Sequence, residues 1–336
     1  MEWYLFNTIS KEAIQAQISK DLKGRAYSEI IWNHPSGIQI EPYLNEENNI
    51  KPIVLNLPQE EWAIIQKINL HHVPTAQVES LKALQNGVNA LYYDFAEASG
   101  EIDFNALFEG VLLEHIQVHL RNIQPADQAK LEAYIAGMGI SGNINLGSSD
   151  CMESNPNHFR SKGIRIAEGL DLSAIAAQYQ SMIQDLNVNS AHANLYYFEV
   201  ELGNEFFVEV AKLRAIRLLW DGIMSKFNLN TKATVLAYTS AANIKLEDGH
   251  TNILRATTEA MSAVIGNCDG LLVRPHDLDD QNTMSVRIAK NIQLLLKEES
   301  GFSFLHDPGN GAYYIDQLTH EIAENIWSII QSLSNE

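Results

Sequence analysis

The chain has 336 residues, of which 42 are acidic and 23 are basic, so its formal charge at pH 7 is −19. Because no run of lysine and arginine interrupts this acidity, the composition argues against binding to nucleic acid or to an anionic membrane. No apolar run approaches the roughly 20 residues of a membrane span, and the first residues lack the apolar core of a signal peptide. The two cysteines, Cys151 and Cys268, show no CxxC spacing. These features predict a cytoplasmic protein without a disulfide framework.

Residues 1–50 predict an arm that differs from the rest of the chain. Ser10 is suited to cap a short helix, which Gly24 can end. Two strand-like runs follow, and Pro35 and Gly37 supply a turn between them, as in a hairpin. Such an arm has too little apolar surface to fold alone. It must pack on its own barrel or on another chain, and we predict that it contacts a partner.

Residues 51–336 alternate strand-like and helix-like segments. Strands are predicted at 61–67, 90–95, 115–120, 142–147, 163–167, 195–200, 233–239 and 269–274. Helices are predicted at 75–86, 103–109, 126–138, 171–186, 203–227, 250–265 and 281–299. Eight strands in alternation with helices favour an α/β fold of the (β/α)8 TIM-barrel type over an open doubly wound sheet.

The strongest helical periodicity lies in 203–227, directly after the buried strand-like run 195–200. Its apolar residues recur every three or four positions and form one stripe: Phe206, Val210, Leu213, Ile216, Trp220, Ile223 and Phe227. Two segments depart from the alternation. Residues 147–162 hold turn formers where a helix is expected, and residues 302–314 predict a strand-like piece and a Pro/Gly turn. An extra C-terminal helix then shows one apolar face: Ile315, Leu318, Ile322, Ile326, Ile329 and Leu333.

Two patterns resemble binding motifs but have plainer interpretations. The run 137–142 matches GxGxxG, yet it ends a predicted helix and enters a strand, which is the reverse of a dinucleotide fingerprint. His115 and His119 are four residues apart and would share a face of a helix or a strand. Because no third ligand accompanies them, we interpret them as ordinary histidines rather than as a metal site.

Arg214 and Arg217 lie on the strongly periodic helix. They could hold an anion, or they could pair with neighbouring carboxylates such as Asp221, which lies one helical turn from Arg217. We favour pairing.

In a barrel the chemistry lies at the carboxyl ends of the strands. The polar residues predicted there are Asp94, Arg165, Glu168, Glu201, Tyr238, Ser240, Arg274 and His276. No nucleophile–base pair, metal triad or carboxylate dyad can be assembled from these residues by spacing alone. These residues therefore predict polar side chains at the mouth of the barrel, but they do not by themselves indicate which reaction, if any, takes place there.

The segment GNEFFVEVAKLRAIRLLW (203–220) resembles the sixth helix of the substrate barrel of the methylmalonyl-CoA mutase family. Three further segments make four motifs in the family's order and at compatible spacing: NILRATTEAMSAVIG (252–266), VRIAKNIQLLLKEESGF (286–302) and DPGNGAYYIDQLT (307–319). DLKGR (21–25), followed by IIWNHPSGIQIEPYL (30–44), resembles the family's N-terminal arm. The resemblance is strong in the second half of the chain and weak between about residues 51 and 160. It implies an adenosylcobalamin-dependent interconversion of methylmalonyl-CoA and succinyl-CoA. In catalytic members the barrel encloses the acyl-CoA, and a C-terminal domain supplies the cobalamin.

Several family positions carry different residues here. The family's GYH…E segment appears as GIRIAE (163–168), so Ile164 replaces the tyrosine, Arg165 replaces the general-acid histidine, and Glu168 is retained. Arginine can donate hydrogen bonds to a carbonyl but does not exchange protons near neutral pH. The histidine and glutamine of the seventh strand fall on Tyr238 and Ser240.

Three further departures concern the cofactor and the substrate. The chain ends after its terminal helix without the DxHxxG signature; the partial match at 248–250 has Ile253 in place of the glycine. The family's PW-x-IRQ run is reduced to Trp62, Ile64 and Gln66. The insertion expected after the fourth strand is reduced to 147–162.

With these differences the chain resembles the small, non-catalytic subunit of heterodimeric methylmalonyl-CoA mutases, in which side chains fill the barrel and no substrate binds there. Tyr196 and Phe198 fit such a filling. We therefore expect no catalytic residue and no bound cofactor in this chain, with adenosylcobalamin held by a large catalytic partner. A homodimer is possible when the chain is alone. Two alternatives stay open: a divergent mutase barrel that works with a separate cobalamin-binding chain, and an acyl-CoA-binding module.

Overall fold

The computed structural model describes residues 9–57, 61–138, 143–147, 159–160, 162–245 and 247–334. Within these ranges, none of the helices is both long enough and apolar enough to cross a membrane.

The N-terminal region forms the predicted helix and hairpin. Helix α1 (Lys11–Asp21) begins after Ser10, whose hydroxyl accepts a hydrogen bond from the backbone N of Ala13 at 3.3 Å. Strands β1 (Trp32–Asn33) and β2 (Gln39–Ile40) pair antiparallel. Helix α1 has no fully buried residue, so the barrel supports it only partly.

The remaining strands form one parallel sheet around a central axis. They are β3 (Ala63–Ile68), β4 (Ala90–Asp94), β5 (Gln117–Arg121), β6 (Asn143–Gly147), β7 (Phe159–Arg160), β8 (Lys162–Ile166), β9 (Tyr196–Leu202), β10 (Val235–Thr239) and β11 (Gly270–Leu272). Their order is β7-β6-β5-β4-β3-β11-β10-β9-β8. Because only residue 161 separates β7 from β8, the two ends of this ladder are joined by the chain itself. The sheet is a TIM-type barrel in which β7 and β8 together occupy the position of the fifth strand.

Helices surround the sheet in alternation with the strands. They are α2 (Val73–Gln85), α3 (Phe104–Leu107), α4 (Pro125–Met138), α5 (Leu172–Val188), α6 (Phe206–Lys226), α7 (Gly249–Ile265), α8 (Thr283–Leu294) and the extra C-terminal α9 (Tyr313–Ser334). A π-helical turn, Leu295–Glu299, continues α8. The predicted strands and helices are therefore confirmed, with small shifts at their ends. Residues 148–158, where a helix was expected to be reduced, lie outside the described part of the chain.

Helix α6 is enclosed on both sides. Its apolar stripe packs on the barrel, where the Trp220 and Phe198 rings meet edge to face at 5.7 Å. Helix α9 packs against another side of α6 and supplies Asp316 to Arg214, which is completely buried. This enclosure makes α6 the best-packed helix of the fold.

The preference for pairing at Arg214 and Arg217 is confirmed, but the expected partner was wrong. Arg214 donates a hydrogen bond to Asp316 of α9 at 2.9 Å and also contacts Asp307. Arg217 is paired with Asp269 at 2.8 Å rather than with Asp221. The partners come from distant segments because α6 is buried, and spacing along one helix cannot show them.

Two other expectations were wrong. The segment after α8 contains a 3₁₀ turn, Phe302–Phe304, in place of a strand. A strand needs a free sheet edge to pair with, and a closed barrel offers none. His115 and His119 do not share a face of one element, because His115 ends a 3₁₀ turn and only His119 lies in β5. The run 137–142 falls between the end of α4 and the start of β6, as predicted, although residues 139–142 themselves are not described.

Candidate functional site

The axis of the barrel is filled by side chains. Successive residues of a strand point to opposite faces, so every second residue faces the axis. The inward side chains form a buried apolar cluster: Ala63, Ile65, Ala90, Tyr92, Tyr197, Leu236, Tyr238 and Leu272. Three tyrosines from β4, β9 and β10 are its largest members. They occupy the space in which a barrel of this kind could otherwise hold a ligand.

The register of β8 and β9 shows how closely this space is filled. Gly163 lies directly opposite Tyr197 on the neighbouring strand. A Cβ atom at position 163 would lie 2.8 Å from the Tyr197 hydroxyl and 2.9 Å from ring atom Cζ. Only glycine leaves room for this ring, so the tyrosine and the glycine form a matched pair at the axis.

Expectations about the filling residues were wrong by one position. Tyr196 and Phe198 point outward, where Phe198 contacts Tyr179 and Trp220, and Tyr197 points inward. The run 195–200 is buried on both faces, so its sequence shows no polar alternation from which the inward set could be read.

A layer of polar side chains follows the tyrosines toward the carboxyl ends of the strands. Its centre is Glu199 of β9, which is 8% exposed. Arg165, its cross-strand neighbour on β8, donates a hydrogen bond from Nε to Glu199 at 3.1 Å. The Tyr197 hydroxyl donates to the other carboxylate oxygen at 3.3 Å. His119, one of the inward residues of β5, is buried, and burial lowers its pKa to about 3. Near neutral pH this histidine is therefore uncharged, whereas the Arg165 and Glu199 charges compensate each other.

Charge pairs also close the rim at the carboxyl ends of the strands. Arg274, after β11, lies 3.5 Å from Glu201 of β9. Lys67 of β3 contacts both Glu97 and Asp280 at 2.6 Å. In these contacts Arg274 and Lys67 are already paired with carboxylates.

Glu168 and Ser240 are brought together by the fold. The Ser240 hydroxyl donates a short hydrogen bond to Glu168, and the Ser240 backbone N donates to Glu259 of α7 at 2.9 Å. Asn243 donates to the second Glu259 oxygen at 2.8 Å. Burial, together with the charges of Glu168 and Glu209, raises the pKa of Glu259 to about 7. This cluster anchors the loop after β10 to α7 rather than presenting a free base.

Tyr238 lies deep in the barrel and is 7% exposed. Its ring meets Tyr92 edge to face at 6.0 Å, and burial raises the pKa of its hydroxyl well above the usual value. No hydrogen-bond partner for that hydroxyl is found among the described residues. Such a phenol stays protonated near neutral pH and acts here as a filling side chain.

Of the four family positions, the structure joins Glu168 to Ser240, pairs Arg165 with Glu199, and places Tyr238 in the buried cluster at the axis. Sequence reasoning missed Tyr92, Tyr197, Glu199 and Glu259. The first three were detectable only by knowing which residues of each strand face inward. Glu259 lies on a helix, where nothing in its spacing distinguishes it from a solvated carboxylate.

Comparison with known proteins places these features in a family. The family model described as methylmalonyl-CoA mutase matches residues 166–336. The methylmalonyl-CoA mutase small subunit of Porphyromonas gingivalis is 28% identical, over 98% of this chain and 63% of its own length. The methylmalonyl-CoA mutase of Rhizobium meliloti is 36% identical, over 46% of this chain and 22% of its own length.

A large subunit is similar as well. The methylmalonyl-CoA mutase large subunit of Propionibacterium freudenreichii subsp. shermanii is 36% identical, over 44% of this chain and 21% of its own length. The chain thus spans less than two thirds of the length of these relatives. The family model covers slightly more than half of the chain, and it includes β9 and β10, which supply Tyr197 and Tyr238 to the filled axis. The chain belongs to the methylmalonyl-CoA mutase family.

Proposed function

We propose that this chain is the small, non-catalytic subunit of a two-chain methylmalonyl-CoA mutase. In this proposal a large partner chain isomerises methylmalonyl-CoA to succinyl-CoA, and the present barrel stabilises that partner. The observation that carries the proposal is the filled axis, in which Tyr92, Tyr197 and Tyr238 occupy the space that an enclosed acyl chain would need.

The polar layer supports the same conclusion. A general acid must exchange a proton near neutral pH, and Arg165 cannot do so because its guanidinium stays protonated. Arg165 is also bound to Glu199, while Glu168 accepts a hydrogen bond from Ser240. Neither residue is left free to act as an acid or a base on a substrate.

We also propose that this chain binds no cobalamin and that the partner holds it. A corrin is a wide, flat ring edged with amides, and it needs an open surface with free donors and acceptors. At the barrel rim two cationic groups are already bound to carboxylates, in the pairs Arg274–Glu201 and Lys67–Asp280. The residues present fit a corrin poorly. After incubation with adenosylcobalamin and gel filtration, the isolated chain should retain no corrin absorbance.

The arm is the proposed contact with the large chain. Helix α1 buries none of its residues completely, and Ile9 just before it is 62% exposed. Ile14 and Ile18 are only partly buried by the present chain. Apolar surface that remains accessible on a helix lying against little else is typical of an interface.

Co-expression with a large methylmalonyl-CoA mutase subunit tests the proposal. Light scattering on a sizing column should show one complex containing both chains. Ile18→Glu should weaken that complex, whereas Ser19→Glu, at an exposed position of the same helix, should leave it intact. Absence of a complex with the unaltered chain would exclude the subunit role.

The alternative role as an acyl-binding or catalytic barrel is favoured by one observation: among the described residues, none forms a hydrogen bond with the Tyr238 hydroxyl beside the axis. It requires the tyrosines to move apart. Equilibrium dialysis with methylmalonyl-pantetheine, which lacks the nucleotide of CoA, distinguishes the two roles. The subunit proposal predicts no binding to the isolated chain, and saturable binding would favour the alternative.

A further inference from the structure

A groove between α2 and α8 carries an excess of positive charge on a strongly acidic chain. Its cavity has a volume of about 420 Å³ and lies outside the barrel wall. Lys82 of α2 lines it together with Arg287 and Lys290 of α8, and Lys67 of β3 lies at one end. Since the chain as a whole has a formal charge of −19, the local charge is opposite in sign to that of the molecule.

The charge at the β3 end of the groove is compensated. Lys67 contacts Asp280, which also lines the groove, at 2.6 Å, and it contacts Glu97 at the same distance. Burial is the largest influence on the Lys67 pKa and acts to lower it, but the two carboxylates outweigh burial and the pKa is raised. This end of the groove is a closed ion-pair network and leaves no charge for a ligand.

The charges at the other end are compensated only in part, because three cations face one carboxylate, Glu79, which interacts with Lys82. Lys82, Arg287 and Lys290 have no ion-pair partner within the described ranges, and Glu79, one turn from Lys82, is the other carboxylate that lines the groove. The Arg287 guanidinium contacts the sulfur of Met284 at 3.3 Å rather than a carboxylate. Lys290 is partly buried, and burial, followed by the charges of Arg287 and Lys82, lowers its pKa. These three cations lie close enough to repel one another.

We propose that the α2–α8 groove binds a small organic molecule that carries a phosphate or diphosphate group. An anion placed among the three cations would remove their mutual repulsion, and Arg287 can bind phosphate oxygens through two parallel N–H donors. The volume lies within the range of about 300 to 1,000 Å³ that is usual for small-molecule sites. Ala83 and Val286 supply apolar surface for the organic part. The groove lies outside the barrel wall, so this site is independent of the role proposed for the axis.

Calorimetric titration of the full chain with inorganic pyrophosphate and with ADP tests the site. Both probes should bind at one site, with an affinity that falls between low salt and about 0.15 M ionic strength because the groove is open to solvent. Lys290→Gln and Arg287→Gln should each weaken binding about tenfold or more, the loss expected for one charge-assisted hydrogen bond. Lys226→Gln is the matched control, because this lysine is exposed on α6, away from the groove. Circular dichroism should show that all three variants fold, and Lys290→Arg should retain binding.

The outcomes separate the sources of the phosphate group. Tighter binding of ADP indicates a nucleotide, and equal affinities indicate that the diphosphate alone is recognised; either result supports the proposal. Absence of binding by both probes would overturn it. If Lys290→Gln and Arg287→Gln leave binding unchanged, the anion binds elsewhere and the proposal is wrong. Binding of an acidic peptide in the groove, when neither probe binds, would also overturn the proposal.

Discussion

Gly163→Ala tests whether the barrel axis is filled as described. The new Cβ atom would lie 2.8 Å from the Tyr197 hydroxyl and 2.9 Å from its Cζ atom, both well inside ordinary contact distance. Overpacking of a close-packed core costs about 1 to 3 kcal/mol. Replacing glycine by alanine within a strand regains about 0.5 to 1 kcal/mol of backbone entropy. We therefore expect the free energy of unfolding to fall by about 1 to 2 kcal/mol, measured by urea denaturation.

A double-mutant cycle identifies the cause. Tyr197→Leu removes the ring and destabilises the protein by itself, as large-to-small core substitutions do. In the Tyr197→Leu background, Gly163→Ala should cost nothing or should stabilise, so the coupling between the two sites should be at least about 1 kcal/mol. Gly222→Ala is the control, because Gly222 lies on the exposed surface of α6 and a Cβ atom added there would have no neighbour within 4 Å. This substitution should stabilise the protein by about 0.5 to 1 kcal/mol. A Gly163→Ala cost that persists without the tyrosine ring would refute the packing described for the axis.

Three other perturbations test the buried polar groups. Asp316→Asn should lower the free energy of unfolding by about 2 to 4 kcal/mol, because it leaves the fully buried Arg214 with reduced compensation; a loss below about 0.5 kcal/mol in urea denaturation would contradict this. Because burial raises the pKa of Glu259 from 4.5 to about 7, the folded state binds this proton more tightly than the unfolded state. Stability should therefore fall as the pH rises from 4.5 to 7, by about 2 to 3 kcal/mol. Glu259→Gln should flatten that step in urea titrations, and an unchanged step would assign it to other groups. Burial raises the pKa of the Cys268 thiol well above its usual value. In a Cys151→Ser variant, iodoacetamide should therefore label the protein only after unfolding, as measured by mass spectrometry. Rapid labelling of the native protein would show that Cys268 is accessible.

The elements of the fold were predictable because their periodicities are strong. The helix 203–227 showed a stripe with helical spacing, and that stripe faces the barrel. The burial of Arg214 was not predictable, since its partner Asp316 lies on α9, about 100 residues further along the chain. The apolar pattern of one helix predicts the face that packs on the sheet. It does not predict that a second helix covers another face.

The candidate site was predictable only in part, and for a different reason. Strand ends are recognisable, so Glu168 and Ser240 were correctly placed just after β8 and β10, whereas Tyr238, within β10, lies deep in the barrel. Their partners come from other strands and helices, and Glu199 meets Arg165 only through the β8–β9 register. When a strand is apolar on both faces, its sequence does not alternate between polar and apolar residues, so the register and the inward-facing residues cannot be predicted from it. The same ambiguity caused Tyr196 and Phe198 to be chosen in place of Tyr197.

Steady-state turnover of methylmalonyl-CoA by the two-chain complex tests the proposed non-catalytic role most directly. The complex should be assembled with Arg165→Ala in this chain and compared with the unaltered complex at equal amounts of assembled protein. Because Arg165 is bound to Glu199 beside a filled axis, we predict that kcat and KM stay within about twofold, a change of less than about 0.5 kcal/mol in barrier height. A fall in kcat of a hundredfold or more, with the complex intact on a sizing column, would mean that this barrel takes part in the chemistry and would contradict the account.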